Sequence, residues 1–117
     1  MRCVTHRVIP TPGFEKELRP LLKRHRSLAK DLLKLEKELE QRPNAGTSLG
    51  HGLYKVRLAI ASKGKGKSGG ARVITYVVTE DREVYLLSIY DKTDYDTVDK
   101  KAMKRIVTEL RASKVKR

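Results

Sequence analysis

Cysteine is almost missing from this chain. Cys3 is the one thiol in 117 residues, so no internal disulfide can form, and a reducing compartment, the cytoplasm, is expected. Tryptophan is absent and aromatic residues reach only 5%, so a core must rest on aliphatic side chains. No stretch approaches the roughly 20 apolar residues that cross a bilayer. Met1–Pro10 does not read as a signal peptide, because Arg2, His6 and Arg7 interrupt its apolar residues. Cys3, His6, His25 and His51 lack paired ligand spacing, which argues against structural zinc, and no cofactor is expected. Acidic residues are the most telling scarcity: 14 Asp and Glu face 27 Lys and Arg, a net charge of +13. Between Gln41 and Thr79 there is none at all.

What is present fits one domain over residues 1–117. Residues 3–9 read as a short strand ending in the turn signal Pro10-Thr11-Pro12-Gly13. From Phe14 the residues Phe14, Leu18, Leu21, Leu22 and His25 recur at helical spacing on one face, with a kink expected at Pro20. Ser27 reads as the N-cap of a second helix reaching Gln41, whose apolar stripe is Leu28, Leu32, Leu35 and Leu39. Asn44–Gly52, rich in Gly, Ser, Thr and Asn, reads as loop. Strands follow at Leu53–Ile60, Ala71–Thr79 and Glu83–Asp91. The second of these, β-branched and aromatic, is expected at the centre of the sheet. A last helix is expected from Asp96 or Thr97, with Val98, Ala102, Met103, Ile106, Val107 and Leu110 on its apolar face. The expected fold is a small α+β domain, β-α-α-β-β-β-α, with an antiparallel-rich sheet. A helical hairpin and a C-terminal helix pack against one sheet face.

The acid-free stretch carries Arg42, Lys55, Arg57, Lys63, Lys65, Lys67 and Arg72. Such a run is either a solvated loop that keeps the chain soluble or a groove for a phosphate backbone. The groove is favoured because Lys55 and Arg57 share one strand face, and because Gly64, Gly66, Gly69 and Gly70 let backbone amides approach a phosphate between the lysines. Gly66-Lys67-Ser68 matches the end of a nucleotide-binding P-loop. However, Ala61 stands where that motif needs its first glycine, and the segment leads into a strand instead of opening a helix. No acid is expected in the groove.

Gly52–Arg57, then Gly64–Ile74, then Leu87–Lys92, together with the helical Pro12–Pro43 block, resemble the toxins of the RelE/HigB type over nearly the whole chain. The glycine- and lysine-rich loop followed by a strand arginine is the most specific part. The resemblance implies a metal-independent endoribonuclease that enters the ribosomal A site and cuts mRNA there. Its partners would be the ribosome, mRNA and a cognate antitoxin, expected to be a helix-turn-helix DNA-binding protein. RNA cleaves itself when its 2′-hydroxyl attacks the adjacent phosphorus. That reaction needs a base, cations on the phosphorane and a donor at the leaving oxygen. An ammonium group crowded by others gives up its proton more readily. By resemblance, Lys65 or Lys67 supplies the base, Arg72 steadies the phosphorane and Lys92 protonates the leaving group. Lys55, Arg57 and Lys63 would hold phosphates, and Tyr90 or Tyr95 would stack on a splayed base. Plainer readings stand beside these: Lys63 as a loop charge, Tyr90 as an edge residue with its hydroxyl in water, and the histidines as ordinary structural residues. Two other functions share the pattern: a ParE-like toxin that poisons gyrase, and a non-enzymatic RNA- or ribosome-binding module.

Overall fold

Thr11 decides where the first helix begins. The computed structural model describes residues 6–64, 70–92 and 100–115, and within it β1 (Arg7–Pro10) runs directly into α1 (Pro12–Arg24). The Thr11 hydroxyl accepts from the Phe14 N–H at 3.3 Å and donates to the Leu86 carbonyl at 2.9 Å. It thereby caps the helix and pins it to the sheet. Pro12 follows at the first helical position, where an N–H would have no partner. The segment expected as a turn is thus a strand end, a cap and a helix start. The helix continues through Pro20, whose missing N–H leaves a carbonyl on the exposed side of the helix, where water can serve it.

Residues His25–Ser27 connect α1 to α2 (Leu28–Gln41). Leu28, Leu32, Leu35 and Leu39 are all buried, as their spacing predicts. With Phe14 and Leu21 they pack on Val56, Leu58, Val73, Val84, Leu86 and Ile89 of the sheet. Burying each such side chain contributes about 1.5–3 kcal/mol.

The Asn44–Gly52 segment is not all loop. Thr47–Gly50 forms β2, antiparallel to β3 (Leu53–Leu58), with Thr47 opposite Lys55 and Gly50 opposite Leu53. The two-residue turn between them, His51-Gly52, has φ of +55° and +82°. Positive φ at both central residues matches the twist of a hairpin, and glycine supplies one of them without strain. The polar composition masked the strand because β2 is an edge whose residues are mostly exposed.

β4 (Ala71–Val78) and β5 (Glu83–Asp91) complete a five-stranded sheet of order β1-β5-β4-β3-β2, in which β1 pairs parallel with β5 and the other pairs are antiparallel. β4 lies at the centre, and its first six residues are buried. α3 (Lys100–Val115) does not join the other helices. Met103, with Ala102, Ile106, Val107 and Leu110, packs against Leu53, Ile74, Tyr76, Tyr85, Leu87 and Tyr90, which alternate with the residues facing the hairpin. The helices therefore cover both faces of the sheet. Two apolar faces on β4 and β5 demand two covers, and α3 is the second. The expected start of this helix, with Val98, lies outside the described residues.

Candidate active site

Three adjacent strands align the candidate residues. Register sets Arg57 of β3 opposite Arg72 of β4, and Arg72 opposite Tyr90 of β5. Two residues along, Lys55 stands opposite Ile74, and Ile74 opposite Ser88. Facing residues in a ladder project to the same side with Cβ atoms about 4.5–5.5 Å apart. Lys55, Arg57, Arg72, Ser88 and Tyr90 thus share one face. It is the α3 face, since Ile74 and Tyr90 belong to the core under α3.

Tyr90 reaches that face through a β-bulge. Pairing jumps from Ile74 opposite Ser88 to Thr75 opposite Leu86, so Leu87 is an extra residue in β5. Val84 and Leu86 before it face the hairpin, and Ile89 does so after it. Strict alternation from Leu86 would have turned Tyr90 to the hairpin. The bulge also sends Asp91 to the hairpin side, where its Oδ2 accepts from His25 Nε2 at 2.9 Å and Arg24 Nη2 at 3.4 Å. His25 and Asp91 form a connection between α1 and the end of β5 that sequence reasoning missed, because 66 residues separate them.

Exposure divides the row. Arg57 is exposed and Lys55 half-buried, whereas Arg72 is 2% and Tyr90 4% exposed. The Tyr90 hydroxyl is therefore not in bulk water. Arg72 Nη1 donates to the Ala71 carbonyl at 3.2 Å. Burial sets this guanidinium in a medium that weakens Coulomb attraction less than water does.

The base of the basic loop is fastened to α2. Ser27 occupies the N-cap position, as expected, but its side chain does not cap the helix. Its hydroxyl donates to Asp31 Oδ2 at 2.7 Å and accepts from the Ser62 N–H at 2.8 Å. Asp31 Oδ2 also accepts from the Ala61 N–H at 3.0 Å. These bonds hold the short 3-10 turn Ala61–Lys63 where the loop departs. In the sequence, the four-residue spacing of Ser27 and Asp31 hints only at their own contact. Their partners lie about thirty residues downstream.

The loop's return is equally constrained. A Cβ at Gly70 would stand 2.0 Å from the Leu58 carbonyl oxygen, so only glycine fits there. The Gly70 carbonyl accepts from the Lys92 N–H at 3.1 Å, which fixes Lys92 beside the entry to β4, two residues before Arg72. Lys92 is half-buried. Lys63 ends the 3-10 turn. Lys65, Lys67 and Tyr95 lie outside the described residues.

A cleft of about 400 Å³ opens between α2 and the β2–β3 hairpin, lined by Glu38, Gly46, Thr47, Lys55, Val56 and Arg57. Glu38 brings an acid to this cleft, on the α2 side of the sheet and away from Arg72 and Tyr90. It enters from the preceding helix, and absence along the chain did not mean absence in space. The cations, the buried arginine and the neighbouring tyrosine form a surface able to bind and polarise a phosphodiester. No described helix is long and apolar enough to cross a membrane. The family model for the RelE toxin of the RelE/RelB toxin–antitoxin system matches residues 7–116, a span that includes every strand and helix above. The chain belongs to the RelE toxin family, the toxin half of a toxin–antitoxin pair.

Proposed function

We propose that this toxin is a cytoplasmic, ribosome-dependent endoribonuclease that cuts mRNA in the A site by internal attack of the 2′-hydroxyl. The observation that carries the reading is the in-register row Arg57, Arg72 and Tyr90, with Lys55 beside it and Lys92 at its end. Lys65 or Lys67, neutral at the moment of reaction, takes the 2′-hydroxyl proton. The 2′-oxygen bonds to phosphorus and the bond from phosphorus to the 5′-oxygen breaks. Lys92 gives a proton to the departing 5′-oxygen, and the products are a 2′,3′-cyclic phosphate and a 5′-hydroxyl. Arg72 holds the charge that grows on the phosphorane oxygens, while Lys55, Arg57 and Lys63 hold flanking phosphates. Tyr90 and Tyr95 are the stacking candidates for the splayed base. The antitoxin, proposed to be a helix-turn-helix protein, opposes this surface with acidic or amphipathic chain.

The test is cleavage of mRNA on translating ribosomes with end-group analysis. Arg72→Ala is expected to lower the rate by about 10²–10³-fold, the usual effect of removing one transition-state donor. Lys67→Ala is expected to abolish cutting without loss of fold. Transcripts with 2′-O-methyl at the cut site should resist, and EDTA should not stop the reaction while ribosomes stay assembled. Naked mRNA should be a poor substrate, because lysine is a modest base that needs the alignment a ribosome supplies. Efficient cutting of the 2′-O-methyl transcript rules out internal attack. Gyrase-linked DNA breaks with intact mRNA would select the ParE-like activity instead, and ribosome binding with neither effect would select a binding module.

A further inference from the structure

α3 carries a second charged surface that the cleavage row does not use. From Lys100 to Val115 the sequence has six Lys and Arg and one acid, Glu109. Lys101, Lys104, Arg105 and Arg111 are all exposed. At 3.6 residues per turn they occupy about a third of the helix circumference, opposite Met103, Ile106 and Leu110. None of the four has an ion-pair partner among the described residues. Glu109 stands on the flank and lines a groove against Thr11, Pro12 and Gly13. Among the described residues, Glu80 and Asp81 line a pocket with Arg111 at the far end of the stripe.

α3 lies on the sheet face that carries the site. Ala102 and Met103 pack in the cluster that contains Tyr90, while Leu110 and Arg111 reach Tyr76, Val78 and Tyr85 at the other end of the sheet face. The cations of α3 therefore extend about 15 Å along a helix that packs on the same sheet face as the Arg57–Arg72–Tyr90 row. We infer that the outer face of α3 is an anchoring surface for the phosphate backbone of structured RNA, separate from the residues that cut. The inference rests on the proposed ribosomal site of action. An acidic protein is the less fitting occupant, because protein interfaces need buried apolar anchors. The large hydrophobic residues exposed among the described residues, Leu22 and Leu33, lie on α1 and α2.

The experiment compares two triple variants of the full chain, Lys101→Gln/Lys104→Gln/Arg105→Gln on α3 and Lys23→Gln/Lys30→Gln/Lys37→Gln on the exposed side of the hairpin. Each removes the same charge, and circular dichroism checks that each folds. Binding to a short RNA duplex is measured across a salt series. The α3 variant is expected to bind about tenfold or more weakly at physiological salt. The slope of log affinity against log salt should fall by about 2–3, as for loss of three phosphate contacts. The hairpin variant should keep most of the affinity and slope. Equal losses in both variants would reduce the effect to net charge and overturn the inference, as would an unchanged α3 variant. Unchanged duplex binding with lost capture of a polyglutamate peptide would overturn the RNA partner in favour of an acidic protein. If duplex binding depends on α3 but wild-type protein leaves mRNA intact on ribosomes, the surface stands and the nuclease reading falls.

Discussion

Glycine at position 70 shows how a single residue can set where a strand begins. Its missing side chain lets the loop pass against the Leu58 carbonyl and enter β4 two residues before Arg72. Gly70→Ala is expected to cost about 1–3 kcal/mol through overpacking, and more if the strand entry shifts. Urea unfolding measures the loss, and cleavage should fall with it, because Arg72 and Lys92 are both set by this corner. Glu36 on α2 is another residue whose surroundings act on its chemistry. Burial, and then the charge of Glu40, raise its carboxyl above the ordinary value of 4.5. The folded state therefore holds this proton more tightly than the unfolded chain does. The resulting penalty is absent below pH 4.5 and grows as pH rises through the raised value. Glu36→Gln should accordingly melt at a higher temperature than the parent at pH 7, and the gap should close in scans below pH 4.5. A gap that widens in acid would contradict the assignment.

Elements place the site where residues alone do not. The α2 N-terminus holds the basic loop through Asp31, which is 6% exposed and accepts two hydrogen bonds on one oxygen. Removing such a buried charged acceptor costs about 1.5–3 kcal/mol. Asp31→Ala is expected to lower stability by that amount in chemical unfolding and to raise proteolysis in the Ala61–Gly70 loop. α3 is attached differently. Met103 is its one buried apolar residue among those described, and the rest of its apolar stripe is half-buried. Met103→Ala should cost about 2–5 kcal/mol. The loss should show first as faster amide exchange in α3 than in β4, since a thinly packed element opens before the central strand.

At the scale of the molecule, charge of +13 is the property that partners meet first. It is distributed over the hairpin, the sheet edge and α3, so it steers the protein to polyanions irrespective of sequence. Ribosome binding is expected to weaken steeply between 50 and 200 mM salt, by about 10³-fold or more for six or more phosphate contacts. Sedimentation across a salt series checks this, and a flat response would mean that apolar contacts dominate.

Local pattern determined much of this protein. The leucine stripe of α2, the central place of β4, the span of β5 and the α3 apolar face followed from spacing, because helix and strand periods are properties of a few neighbouring residues. The chain also displayed its cationic stretch and the Gly-Lys loop that resembles RelE/HigB toxins. Tertiary structure decided the rest. Only pairing across strands revealed the Leu87 bulge that turns Tyr90 toward Arg72 and Asp91 toward His25. Only the filling of two apolar sheet faces put α3 opposite the hairpin, and only packing brought Glu38 beside Lys55 and Arg57. Sequence spacing fixes which way a side chain points within its own element. Which residues meet depends on register and on which surfaces remain to be covered, and both are set by the whole chain.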